Sequence, residues 1–310
     1  LLLIASNPDN LREALAQYDD TATVEAEYGD VLVEGTVNTL AHHGERSGNC
    51  CPCLEPNRDV HLDVIGFSHI DLDSLGGAMA LLGIKLEDLG FWNAAAFVDT
   101  KGPHKLSEWS GAAEVLEEGA SIAPLEKLHA FWAWSQANRI FPPRDGSVMD
   151  VTEVVADAMQ VVTDICRGNE DLLEEGRKFK QAQQTLNEKS FDSEEHGVIL
   201  RTSPDFCNHL YTVPKTGKAC RAVVAINEKQ GGITISLADP IEGLSCCDVA
   251  QGLWGQEAGG HAGIAGSPRD WKKEPEELLR LAQKAAKVLA INIARLTPPD
   301  GSMLPPEEEA

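Results

Sequence analysis

The chain has 310 residues, 43% of them hydrophobic, and sets 49 Asp and Glu against 26 Lys and Arg, a formal net charge of −23. A surface this acidic repels long nucleic acid, whose binding rests on phosphate contacts and counterion release, so long duplex partners are excluded. No apolar run approaches the roughly 20 residues of a membrane span, and eight cysteines without regular spacing do not make a secreted disulfide framework. A cytoplasmic protein without a membrane partner is the expectation, with homodimerisation left open, and the length suits two domains at ~100–200 residues each.

In chain order, LLLIAS (1–6) reads as a strand and NPDNLREALAQY (7–18) as an N-cap followed by a short helix. Strand-like TVEAEY and VLVEGTVNTLA then lead to the paired histidines His42 and His43. The turn-rich stretch CCPCLEPNRD (50–59) follows. Its Cys50, Cys51 and Cys53, with His42, His43 and His61, make a structural zinc site one reading of this region. Adjacent cysteines project apart, however, and paired C-x-x-C spacing is missing.

Val64 to Phe67 reads as a strand, and SHIDLDSLGGAMALLG (68–83) as a ligand loop opening a helix. If the strand extends into the loop, His69, Asp71 and Asp73 project on one side. One imidazole and two carboxylates suit Mn²⁺, Mg²⁺ or Zn²⁺, and Gly76-Gly77 lets the helix pack closely behind the loop. The competing reading is a solvated turn whose aspartates cap the helix. Asp99 ends the strand-like run AAAFVD (94–99). Beyond it, Lys101 could neutralise a phosphate and His104 could act as a general acid, or both could flank an ordinary Gly102-Pro103 turn.

The segment HAFWAWSQANRIF (129–141) gathers Phe131, Trp132, Trp134 and Phe141, which reads first as core and second as a wall beside a cleft. Asp145 and Asp150 are further candidate ligands, Asp150 equally an N-cap. From Val151 to about Lys189 the pattern turns helical and charged. Strand-like GVILRTS, RAVVAINE and GITISLA come next, then GGHAGIAG (259–266), whose bare backbone N–H groups beside a histidine suit an anion. Arg269 can reach a second anionic group bidentately, or be an ordinary surface arginine. A long helix closes the fold and an acidic, Pro-rich tail reads as disordered.

Taken in order, SHIDLDSLGG and GGHAGIAG resemble the DHH phosphoesterase superfamily, with its H-x-D-x-D-x-x-G-type motif and a C-terminal GGH-x-x-A-A-G domain. The resemblance covers about two-thirds of the chain. It implies an α/β protein: a parallel-sheet metal domain (1–165), a helical connector (166–195), a smaller α/β substrate-binding domain (196–297) and the tail (298–310). It also implies two divalent ions, manganese first and magnesium or zinc as alternatives, hydrolysing a small phosphodiester or phosphoanhydride. Metal ligands are then His69, Asp71, Asp73, Asp99, His42 and His43, with His43 or His104 as proton donor. Gly259, Gly260, His261, Gly266, Arg269 and Lys101 hold the substrate.

Two departures bear on this expectation. No D-H-H triplet exists, and Ala41-His42-His43 precedes the first motif, so either a permuted strand order brings these histidines to the same crevice or they serve elsewhere. Ala238-Asp239 stands where many relatives carry an arginine. A degenerate ligand-binding or regulatory protein on the same scaffold is therefore the alternative, and metal stoichiometry separates the two. A transfer-RNA-related hydrolase is a third reading, opposed by the acidic surface.

Overall fold

The structure, a computed structural model, describes residues 1–43, 46–58, 60–109, 122–268, 271 and 273–297. Arg269 and the tail from residue 298 lie outside the described residues. The chain divides into two compact units, Leu1–Gln181 and Ala182–Ala310.

The first unit begins with β1 (Leu2–Ile4), α1 (Pro8–Leu15), β2 (Thr21–Val24), the short pair β3 (Glu27–Tyr28) and β4 (Val31–Leu32), and β5 (Asn38–Leu40). After a 3-10 turn at Pro52–Leu54 come β6 (Val64–Phe67), α2 (Leu72–Leu81), α3 (Leu89–Lys101), a second 3-10 turn at Pro103–Glu108, α4 (Pro124–Ala137), β7 (Met149–Asp150) and α5 (Thr152–Cys166). Its main sheet runs β5-β2-β6-β1-β7, parallel except for β7 against β1. Every residue of β6 is buried, the continuous apolar signature of a parallel strand covered on both faces. Ile65 and Phe67 join the large core formed with α2 to α5, whereas Val64 turns to the smaller core under Leu11 and Leu15 of α1. Parallel pairing puts the carboxyl ends of β5, β2 and β6 on one edge, where ligands bind in open α/β sheets.

Three local expectations are corrected here. AAAFVD is not a strand: it lies inside the 13-residue helix α3, whose first turn is capped by Asp88 accepting from the Phe91 N–H. A short apolar run carries no period that separates strand from helix, and its alanines favour helix. His69, Asp71 and Asp73 do not share a strand face either. β6 ends at Phe67, Asp71 is the N-cap of α2 in a capping box with Ser74, and Asp73 sits in the first helical turn. Asp145 and Asp150 are exposed residues that accept from Ser147 and Thr152 in tight turns, not ligands.

Helix α6 (Glu170–Ser190) carries the chain across the division between the units, which falls at Gln181 and Ala182. The second unit holds β8 (Phe191–Glu195), β9 (Val198–Ser203), β10 (Ala222–Asn227), β11 (Gly232–Leu237), α7 (Cys246–Trp254), β12 (Gly259–His261), β13 (Ile264–Gly266) and α8 (Pro275–Leu296). Its sheet runs β12-β13-β11-β10-β9-β8, with only β9 and β10 parallel. α7 and α8 cover its main core. Arg201, fully buried, is held by the carbonyls of Asn187, Leu210 and Thr212 and by the Ser190 hydroxyl. That network ties α6 to the sheet within this unit. A buried guanidinium is tolerated only when its donors are matched in this way.

Candidate metal centre

Five chain segments meet where β2 and β5 end. Glu25 follows β2 directly, with a left-handed φ of 51° and 1% of its surface exposed. A buried acid in that sparsely allowed region is the kind of strain found at functional sites. His42 and His43 follow β5, Asp73 stands in the first turn of α2, and Asp99 lies near the end of α3. Cys51 caps the 3-10 turn at Pro52–Leu54.

Their side chains converge on the His42 ring. Nε2 of His42 lies 3.0 Å from Asp99 Oδ2, 3.3 Å from Asp73 Oδ2 and 3.7 Å from Glu25 Oε1. His43 Nε2 lies 2.7 Å from Glu25 Oε2. The Cys51 Sγ sits 2.9 Å from Asp73 Oδ1 and 3.8 Å from His42 Nε2. Among the described residues these make two donor groups, His42-Cys51-Asp73-Asp99 and Glu25-His42-His43, each with donor atoms within 4.8 Å of one another. The groups share His42.

Electrostatics show what the cluster lacks. Both carboxylate oxygens of Glu25, and Oδ2 of Asp73 and Asp99, are buried and receive no well-directed hydrogen bond. Burial, reinforced by the nearby charge of Asp73, pushes the Glu25 carboxyl up to about 9. For His42, burial is the largest single influence and opposes the charged ring. Asp73, Asp99 and Cys51 outweigh it and raise the imidazole well above its ordinary range. The donor set of carboxylates, imidazoles and one thiol fits a divalent cation.

Of the residues singled out from the sequence, His42, His43, Asp73 and Asp99 are brought together. His69 and Asp71 are in neither group and instead pair with each other at 3.4 Å, half-exposed. The hydrogen bond that His69 donates to Asp71 raises His69; burial opposes the Asp71 carboxylate, but His69 and Ser74 outweigh it and hold Asp71 low. Lys101 is an exposed residue at the end of α3. His104 folds its ring against Gly102 and joins neither group. The structural zinc reading fails: Cys50 is exposed, His61 faces Asp63 in solvent, and Cys53 belongs to neither group. Glu25 escaped notice in the sequence, where it stands inside the strand-like run TVEAEY; the structure ends that strand at Val24.

Beside this cluster lies a cavity of about 260 Å³ whose lining includes Asp71, Asp73, Asp99, Trp132, Trp134 and Arg139. The aromatic segment serves both of its readings. Phe131 is core, and the half-buried Trp132 and Trp134 face the cavity.

In the second unit, the glycine-rich motif is a hairpin and not an open loop. β12 pairs β13 from Gly259↔Gly266 to His261↔Ile264, at the edge of the sheet and exposed. Gly260 has φ +150°, and a Cβ there would lie 2.3 Å from the Ile264 carbonyl oxygen. Only glycine fits.

No protein-family model and no curated protein matches the chain. Among solved structures it is similar to the pGpG-specific phosphodiesterase PggH from Vibrio cholerae, with 12% identity over 96% of this chain and 99% of that one, at a TM-score of 0.41. It is also similar to RecJ in complex with Mn²⁺ from Thermus thermophilus (15% identity, TM-score 0.40), covering 92% of this chain and 47% of that protein, about half its length. An exopolyphosphatase-related protein from Bacteroides fragilis matches at 10% identity over 82% of this chain and 64% of that one, with a TM-score of 0.31. At such identities and TM-scores the likeness assigns neither substrate nor site.

Proposed function

We propose that this chain is a metal-dependent phosphohydrolase acting on a small phosphodiester or phosphoanhydride. The observation that carries the reading is the set of four buried carboxylate oxygens, on Glu25, Asp73 and Asp99, that face two imidazoles without hydrogen bonds. Three acids set against two imidazoles and a thiol form a donor set that suits a cation.

Asp73, Asp99, Cys51 and His42 would hold one divalent ion, and Glu25 with His43 a second beside the shared ring. Bound there, such ions activate water and draw off the charge that builds on phosphorus-bound oxygens. The chain's own residues do the rest. Asp73, already accepting the Cys53 N–H at Oδ1, is fixed in orientation before any ligand arrives. His69, held against Asp71 and by the Ser68 hydroxyl at 2.9 Å, stands half-exposed two residues along the chain from Asp71, which lines the cavity. It can lend positive charge to an incoming phosphate, or open from Asp71 so that both extend the ligand set. His43, 44% exposed, is the proton donor to the departing oxygen if it is not needed as a ligand.

The cavity admits a small group, and Arg139 on its wall offers a bidentate donor to an anion. We assign Gly259, Gly260, His261 and Gly266 of the exposed hairpin, with Lys101 and Arg269, to substrate binding. An oligoribonucleotide of two or three residues, a cyclic dinucleotide, a phosphoadenosine phosphate or a pyrophosphate-like anhydride fits this description.

The test is hydrolysis of a panel of such compounds by protein loaded with Mn²⁺ or Zn²⁺, beside the Asp73→Asn variant. Turnover lost in the variant supports the reading. Tight binding of a phosphoester with no turnover under any metal replaces it with the degenerate binding protein.

A further inference from the structure

The donor set contains one member that a pure carboxylate and imidazole centre does not have. We infer that Cys51 is a thiolate ligand of the cation held by His42, Asp73 and Asp99, and that this makes the site selective for zinc-class ions over manganese and magnesium.

The placement of Cys51 follows from its neighbours. The sequence CPC folds as a 3-10 turn with Pro52 at its first position, so Cys51 becomes the capping residue and Cys53 the next buried side chain. That turn lies on the first turns of α2 because two residues there have no Cβ. At Gly76 an added Cβ would meet the Cys53 Cβ at 2.6 Å, and at Gly77 it would meet the Pro52 Cβ at 2.7 Å. With the turn pressed down this far, the Cys53 N–H reaches Asp73 Oδ1 at 2.9 Å and the Cys51 Sγ reaches the same oxygen at 2.9 Å. Asp73 Oδ2, 3.3 Å from His42 Nε2, points with Sγ toward the His42 ring.

A buried thiol in ordinary core has apolar neighbours. Cys51, 6% exposed, has a carboxylate and an imidazole within 4 Å and a second carboxylate, Asp99, in the same 4.8 Å group. Cys53 is different: its Sγ donates to the Trp92 carbonyl oxygen and it belongs to neither donor group. On binding, the cation takes the place of the S–H proton, which leaves to solvent, and the S–metal bond forms in its stead. Soft sulfur with nitrogen and two oxygens suits zinc, cobalt and ferrous iron, whereas manganese and magnesium take oxygen-rich sets.

Cobalt(II) reports on this directly, because thiolate ligation gives a near-ultraviolet charge-transfer band that carboxylate and imidazole ligands do not. The full chain, reduced and metal-free, is titrated with Co²⁺ and the spectrum compared among the native protein, Cys51→Ser and the control Cys50→Ser, with circular dichroism to check each fold. The band is expected in the native protein and in the control and absent from a folded Cys51→Ser. Competition between Zn²⁺ and Mn²⁺ gives a second readout that stands even if Cys51→Ser does not fold. In Cys51→Asp, zinc preference should fall by about tenfold or more, at least the loss that disturbing an outer-shell partner brings. A native protein that binds no cobalt, binds it without the band, or keeps the band in Cys51→Ser overturns the inference. None of these readouts depends on turnover, so a failure of the phosphohydrolase reading leaves the inference standing, and the reverse.

Discussion

Asp73 divides its two carboxylate oxygens between scaffold and site: Oδ1 accepts the Cys53 backbone N–H at 2.9 Å, and Oδ2 faces the His42 ring at 3.3 Å without a hydrogen bond. One oxygen fixes the side chain and the other supplies charge to the site. Asp73→Asn keeps an acceptor for the Cys53 N–H and removes the charge. We expect the native protein to melt higher with Zn²⁺ and the variant to fold, to show no such rise, and to have at least about a hundredfold less hydrolysis, the upper end of the loss from disturbing a metal site's supporting groups. Without metal, it should melt lower than the native protein, because it removes one of the carboxylates paired with the buried His42 ring. Thermal scans with chelator and with metal check both halves.

The close approach of the CPC turn to α2 predicts the effect of filling it. Gly76→Ala inserts a methyl 2.6 Å from the Cys53 Cβ and 2.8 Å from the Trp92 ring, neither of which is a flexible tip. Overpacking of this kind costs about 1–3 kcal/mol. Because the displaced turn carries Cys51, zinc affinity should fall with stability. Urea unfolding of the metal-free variant and a zinc competition titration separate the two losses; an unchanged affinity would show that Cys51 does not depend on this packing.

His129 supplies a pH dependence remote from the donor groups. Burial holds its imidazole below the ordinary range, against the opposing contact of Nδ1 with the Leu125 carbonyl. A histidine depressed in the folded state binds its proton more readily when unfolded, so its stabilising share is complete above the unfolded value near 6.5. It is lost as the pH falls toward the lower folded value. Stability measured from about pH 7.5 down to about 5, a window that brackets the ordinary histidine range, should therefore drop less steeply in His129→Gln than in the native protein, with both kept in chelator. Parallel curves would contradict the assignment.

The hairpin at Gly259–Gly266 can be tested through Gly260. With φ at +150° and the Ile264 carbonyl oxygen where a Cβ would be, Gly260→Ala must break the β12-β13 pairing locally. If this edge holds substrate, KM for a hydrolysed phosphoester should rise on the order of tenfold with kcat little changed, the signature of lost uniform binding. Equal KM values would remove the hairpin from the substrate site.

Much of the fold was written in local pattern. The run Val64–Phe67, the aspartate cap at Asp71, the glycine pair behind it and the charged helical stretch through Lys189 all rest on interactions within a few residues. The candidate ligands His42, His43, Asp73 and Asp99 were likewise legible as residue types with metal chemistry. What the sequence alone could not determine was which donors meet. AAAFVD is apolar enough for strand or helix, and only the packing of α3 on the core made it helical while still delivering Asp99 to His42. Glu25 and Cys51 lie 17 residues or fewer from His42 in sequence yet belong to separate segments. Parallel pairing of β2 with β5 brings the one, and a glycine-sized gap in α2 admits the other. Those are long-range consequences of sheet order and close packing, which no local period encodes, and they decided both the composition of the donor cluster and the separation of His69 and Asp71 from it.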